Sequence, residues 1–399
     1  MPIEAPPLTP DLKRAHRYRR IKLALYATRL MSSVAFNGWL ALSGTSARTH
    51  RAIRCNIPDS GFASLTYLAA LSGGRWLTRL PLSYVSGHLV ERAFGLTNQT
   101  GRGWLIEQAK AGVLGTVFNV PLTAAAFAVI RRRPNDWWLV LSGILIPATL
   151  LATRLAPVLI APLFNRFESL DDPELTSRIT ALGERAGVRI VDVYRMDMSQ
   201  QTEKANAYFT GLGKSQRIVL ADTLLDRFRP DEVEGIVAHE LGHQVHGDVW
   251  RLVGMFSGVG FGVAYALHRL APGLIRSSQR RTGIQGPGDV TALPLYSLVM
   301  TGIGMTLQPL QAAAHRRLER RTDDFALTLT GDGTSYARAM ERLTIQNLDD
   351  PDPPRWLIWY AYTHPPAVER IATARAFAML NPHNIEGESD SGFALNSRV

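Results

Sequence analysis

Residues 235–248 read GIVAHELGHQVHGD, and the five residues 239–243 inside that run, HELGH, decide what is built around them. A helix turns once per 3.6 residues, so positions i and i+4 lie on one face. His239 and His243 can then aim two imidazoles at one divalent ion, with Glu240 beside the ion rather than on it. From there a carboxylate can take a proton from metal-activated water and pass it to a leaving amine. The chemistry this predicts is hydrolysis of a peptide bond. The residues just before the motif support a helix. Pro230 suits a first turn, and Asp231, Glu232 and Glu234 complement the positive end of the helix dipole. Gly242 is read as leaving room close to the metal.

A single cysteine, Cys55, excludes an internal disulfide framework and a thiolate metal site. One Zn²⁺ per chain, held by histidine and carboxylate, is the expected cofactor. The third ligand is open between His246, Asp248 and Glu319. Glu319 lies in HRRLERRTDDFAL, with Asp323 one turn later on the same face, so the pair offers one carboxylate for the metal and one to hold a metal-bound histidine by its other N–H. The pattern HExxHxxGxxH is excluded, because position 246 is His and position 249 is Val.

Outward from the motif, apolar residues gather in blocks at 23–43, 62–90, 111–130, 137–164, 252–267 and 290–314. The third and sixth carry no charge, and about twenty such residues span a bilayer core. The net charge of +10 sits mainly at block edges, as in KRAHRYRRIK and HRRLERR, which is a membrane pattern and not a nucleic-acid one. Polar residues inside the blocks are expected to face a chamber within the membrane part. The expected organisation is a basic segment (1–22), about four membrane helices (23–164), a first catalytic part (165–251), a membrane hairpin (252–314), a second catalytic part (315–382) and a disordered tail (383–399). VRIVDVYRM, ANAYFTG and QRIVLAD read as strands, the last two as a hairpin through GLGKS. The fold class is therefore a mainly α multi-pass membrane protein with a zincin-like α+β catalytic domain, a small antiparallel sheet packed with the HExxH helix. Two crossings between the HELGH helix and Glu319 return both to one side. A basic, cytoplasmic N-terminus makes that the cytoplasmic side of a bacterial membrane, with the run Arg131, Arg132, Arg133 falling outside, against the positive-inside rule.

The stretches ERAFGLTNQT, APLFNRFESL, ANAYFTGLGKSQRIVLADTLL, VAHELGHQVHGD, RRLERRTDDFAL and THPPAVERI, in that order, resemble the M48 family of zinc metallopeptidases. The likeness is strongest to its Ste24-like, CAAX prenyl protease branch and weaker to the HtpX group. It implies Glu319 as third ligand and Asp323 as its support, with Thr322 where the family usually has Ala. It implies that ANAYFTG is an edge strand along which substrate lies, touched by Asn206 and Ala207. It further implies His364 as a stabiliser of the oxyanion and Arg370 as an anchor of the following helix. Eukaryotic members have seven spans; six blocks are counted here. The expected partners are peptide or protein substrates, lipidated or membrane-embedded ones included, and membrane lipid, with no nucleic acid. The alternatives are an HtpX-type quality-control protease, a catalytically silent membrane scaffold, and a basic membrane-surface protein in which HELGH is accidental.

Overall fold

The computed structural model describes residues 11–211 and 216–381, without the side chain of Arg154. The expected turn at GLGKS and the C-terminal tail therefore lie largely outside the described residues. The first helices are α1 (Leu12–Leu42), α2 (Thr45–Asn56), α3 (Ser60–Tyr84), α4 (Val90–Ala93), α5 (Gly101–Arg132) and α6 (Trp137–Leu155). After β1 (Phe167–Ser169) come α7 (Pro173–Arg185), β2 (Ile190–Met196), β3 (Ala207–Thr210), β4 (Gln216–Ala221), α8 (Asp222–Leu225) and α9 (Pro230–Val245). The chain ends with α10 (Asp248–Thr282), α11 (Leu293–Thr330), α12 (Gly333–Gln346), α13 (Arg355–Ala361) and α14 (Ala367–Leu380).

All six apolar blocks form helices: α1, α3, α5, α6, α10 and α11. Capping fixes where several of them begin. The Asp11, Asp59 and Thr100 side chains accept from backbone N–H groups of the first turns of α1, α3 and α5. By length and composition, α5, α10 and the helix ending at Thr330 can each cross a membrane, and α6 with the bent turn after it makes a fourth such unit. Val113, Val117, Phe118 and Leu122 of α5 are each at least 60% exposed, an apolar surface that suits lipid and not water. The expected boundary at 314/315 is not a break, because α11 continues from its apolar half into ERRTDD as one helix.

The sheet is small, as expected, but mixed where an antiparallel one was expected. Its order is β1-β2-β4-β3. β1 is antiparallel to β2, β3 is antiparallel to β4, and β2 runs parallel to β4. The reason lies in the connection 197–206, which carries the chain past the neighbouring position to the far edge before it turns back. β3 is thus left as an edge strand. Ile218, Val219 and Leu220 of β4 and Val233, Val237, Ala238 and Leu241 of α9 form one buried core with Leu327 and Tyr336. That core fixes α9 between the sheet, α11 and α12.

Candidate active site

The acidic first turn of α9 does more than complement a dipole. Glu234 pairs with Arg178 of α7, Asp231 with Ser335 and Arg338 of α12, and fully buried Glu232 with Arg342 Nε at 2.9 Å. Each acid ties the helix to a neighbouring element, so the HELGH turn is held from both sides.

At that turn the two helices α9 and α11 meet across Gly242. A Cβ on Gly242 would lie 2.8 Å from Thr322 Cγ2 and 3.0 Å from Phe325 Cδ1. The space expected for the metal is in fact occupied by α11, and the glycine brings the two helices together. Glu319 then stands opposite the histidines. Its carboxylate oxygens lie 3.3 Å from His239 Nε2 and 3.6 Å from His243 Nε2. One ligand atom from each of His239, His243 and Glu319 falls within 4.8 Å of the other two.

The far side of each imidazole is also held. His239 Nδ1 lies 2.9 Å from Asp323 Oδ1, and His243 Nδ1 lies 2.9 Å from Asp248 Oδ2. Both rings therefore turn Nε2 toward Glu319. Asp323 is itself gripped by Arg370 through Nε (2.8 Å) and Nη2 (2.6 Å), and it accepts from the Tyr336 hydroxyl at 2.6 Å. Arg321 holds Asp248. Burial alone would lower the pKa of His239, but the Asp323 and Glu319 carboxylates outweigh it and push it up to about 9. The cluster thus draws positive charge. Two imidazole Nε2 atoms and a buried carboxylate oxygen that no hydrogen-bond donor satisfies make a donor set that fits Zn²⁺.

His239 and Arg370 of this cluster line a cleft of about 530 Å³. Glu240 lines it, and burial, opposed by the two histidines, pushes its carboxyl above the usual range. His364 also lines it, 3.4 Å (Nε2) from Glu319 Oε2, with Nδ1 3.1 Å from Thr363 Oγ1. Asn206 and Ala207, at the entry to edge strand β3, line the cleft as well. Gln346 donates to the Glu203 and Thr223 carbonyls, and Asn347 accepts from the Ala205 N–H, which fixes that entry.

Each predicted site residue therefore lines this cleft or contacts a residue that does, whereas His246, offered as a third ligand, packs its ring on Phe325. Asp248 supports His243 instead of joining the three-atom cluster. Tyr336 was not anticipated, and Thr322 was named only as a departure from the family pattern, without a role. Thr322 Oγ1 reaches His243 Nδ1 at 3.4 Å. A tyrosine in an ordinary amphipathic helix carries no sequence signal, and only the contact between α12 and α9 reveals its position.

Residues 169–378 match the profile of peptidase family M48, and residues 9–166 match a profile described as CAAX prenyl protease N-terminal, five membrane helices. An uncharacterized metalloprotease of Bacillus subtilis, YhfN, is 28% identical over 368 residues, covering 91% of this chain and 85% of its own. CAAX prenyl protease 1 of Saccharomyces cerevisiae is 28% identical over 337 residues, covering 80% and 73%. The crystal structure of S. mikatae Ste24p is similar with a TM-score of 0.80 at 25% identity, over 94% of this chain and 92% of that one.

Proposed function

The chain belongs to peptidase family M48 and is an integral-membrane metalloprotease; from that premise we propose that His239, His243 and Glu319 hold one zinc ion, and that Glu240 is the general base. Zinc held there supplies the Lewis acidity that brings the pKa of water near neutrality and polarises a peptide carbonyl. Glu240 takes the proton of the attacking water and returns it to the departing amine. A buried carboxyl with a raised pKa is suited to both halves of that exchange. His364 donates a hydrogen bond to the oxygen that gains charge as the carbonyl is attacked. The substrate backbone adds to β3 as a further strand, beginning at Asn206 and Ala207. Asp323 and Asp248 keep the two histidines turned toward Glu319, and Arg370 keeps Asp323 in place.

The substrates we infer are membrane-associated proteins, including those with a CAAX-type C-terminus, the class named by the Saccharomyces cerevisiae relative. An HtpX-like role in cleaving damaged membrane proteins is the second reading, supported by the length of the match to a Bacillus subtilis metalloprotease whose name carries no prenyl substrate. The basic first turns of α1 stand beside the cleft, Arg19 being paired with Asp350 on its lining, and this favours a site on the cytoplasmic side. The observation that carries the proposal is the convergence of His239, His243 and Glu319 on one point next to Glu240 and a free strand edge.

The test is cleavage of unfolded casein and of a farnesylated CAAX peptide by wild type and by Glu240→Gln. The variant is expected to keep its zinc and to lose at least about a hundredfold in rate. The preferred substrate chooses between the two readings. An active Glu240→Gln enzyme would sink the assignment of the base, and a zinc-free wild type would sink the metal site. Bound zinc with no cleavage of either substrate would favour a silent scaffold.

A further inference from the structure

Three arginines of the membrane part have no counter-charge in the cavities they line. Arg75 and Arg79 lie one turn apart on α3, and Arg29 faces them from α1. With Ser32, Ser33, Asn37 and Thr78 they line a recess between the two helices. Arg75 donates to Asn37 and, at 2.8 Å, to Ser297 Oγ of α11, while Arg79 donates to Ser33 Oγ at 3.0 Å. All of these partners are neutral. Arg75 Nε is buried with no acceptor. Among the described residues, no Asp or Glu lines the recess or the 430 Å³ cavity on the other side of α3.

Like charges one helical turn apart repel, and guanidinium groups among membrane helices are expensive unless something answers them. Water in the larger cavity can hydrate one side of Arg75. That water also reaches Arg79, which lines both spaces, but not Arg29; both Arg29 and Arg79 are exposed at the rim of the recess, near the exposed apolar side chains Met31, Val34 and Leu77. The recess itself holds only about 20 Å³, enough for one ligand oxygen and not for a whole anion. Arginine is the side chain whose fork matches phosphate oxygens.

We propose that this recess binds the phosphodiester of an anionic phospholipid. One phosphate oxygen enters toward Arg75, Arg29 and Arg79 hold the rest from the rim, and the acyl chains run over the neighbouring apolar side chains. The ligand class is an oxyanion, and its source is the bilayer.

The test uses the full chain in nanodiscs of phosphatidylcholine mixed with phosphatidylglycerol, followed by detergent extraction and mass spectrometry of the lipid retained. The variant is Arg29→Gln with Arg79→Gln, which leaves the hydrogen bonds of Arg75 in place. Arg51→Gln with Arg54→Gln, on exposed positions of α2, controls for unspecific charge, and bound zinc controls for folding. Wild type and control are expected to retain phosphatidylglycerol selectively, and the Arg29/Arg79 variant to lose roughly thirtyfold in retention. Equal retention in all three proteins overturns the proposal. Displacement of the lipid by millimolar inorganic phosphate alone would assign the recess to a free anion and overturn it as well. So would unchanged retention together with a raised KM for a peptide bearing a free C-terminal carboxylate, which would give the arginines to the substrate.

Discussion

Asp248 is three residues beyond the end of α9, yet its carboxylate is nearly inaccessible and orients His243. Replacing it with Asn is expected to weaken zinc binding about ten- to a hundredfold, measured by chelator competition, while leaving Glu240 unaffected. Gly242 makes a different demand. Gly242→Ala puts a methyl group where Thr322 and Phe325 already are, and overpacking of this kind costs about 1–3 kcal/mol. The expected result is a lower melting temperature and a weaker zinc site together, read by thermal unfolding with and without added zinc. At this scale much of the site was legible. Spacing alone related His239, Glu240 and His243, and one-turn periodicity related Glu319 to Asp323. His364, Asn206, Ala207 and Arg370 were named only through the family resemblance. Tyr336 was out of reach, because its place depends on how α12 crosses α9 and not on any local pattern.

Among the elements, α9 shows how a motif is held rigid. Burial would raise the pKa of Asp231, but the Ser335 hydroxyl and Arg338 outweigh it and hold the carboxyl below the usual range. A depressed folded-state pKa stabilises at pH values above the unfolded value, about 4, and that contribution fades as pH falls through the lower folded value. Asp231→Asn is therefore expected to destabilise the protein at pH 7 and to destabilise it progressively less as the pH is lowered below about 4, measured by denaturant unfolding across that range. Leu348 ends α12 in the left-handed region, at φ 55°, where glycine is the usual occupant. Its side chain is buried with Ala15, Tyr18, Val90 and Phe94, so burial offsets the strain. Hydrophobic alternation located β2, β3 and β4 but missed the three-residue β1, and it did not give the direction of β4 against β2. That direction is set by which side of the sheet the 197–206 connection crosses, and a period of two residues contains no such information.

For the molecule as a whole, the membrane and catalytic parts meet at Glu91. It accepts from Tyr18 and Lys22 of α1, and Lys204, just before the β3 entry, lies 3.3 Å away. Glu91→Gln leaves two lysines facing each other without a shared carboxylate. The expected outcome is a KM raised severalfold with zinc content unchanged, because the edge strand is displaced and the metal cluster is not. The expected alternation of membrane and catalytic segments rests on chain order and apolar blocks, and the contact at Glu91 between segments about 70 residues or more apart was not legible there, since nothing local in ERAFG or EKANAYF refers to the other.

The unbroken course of α11 has one more consequence. The same helix holds an apolar span at its start and Glu319 some 26 residues on, and at 1.5 Å per residue that is a rod of roughly 40 Å. The scissile bond is thereby given a fixed altitude relative to the bilayer. Under the proposed function, a substrate tethered to that bilayer is expected to be cut according to its reach, so that a tether a few residues too short fails however well its sequence suits the cleft. In such an enzyme the ruler and the blade are one piece.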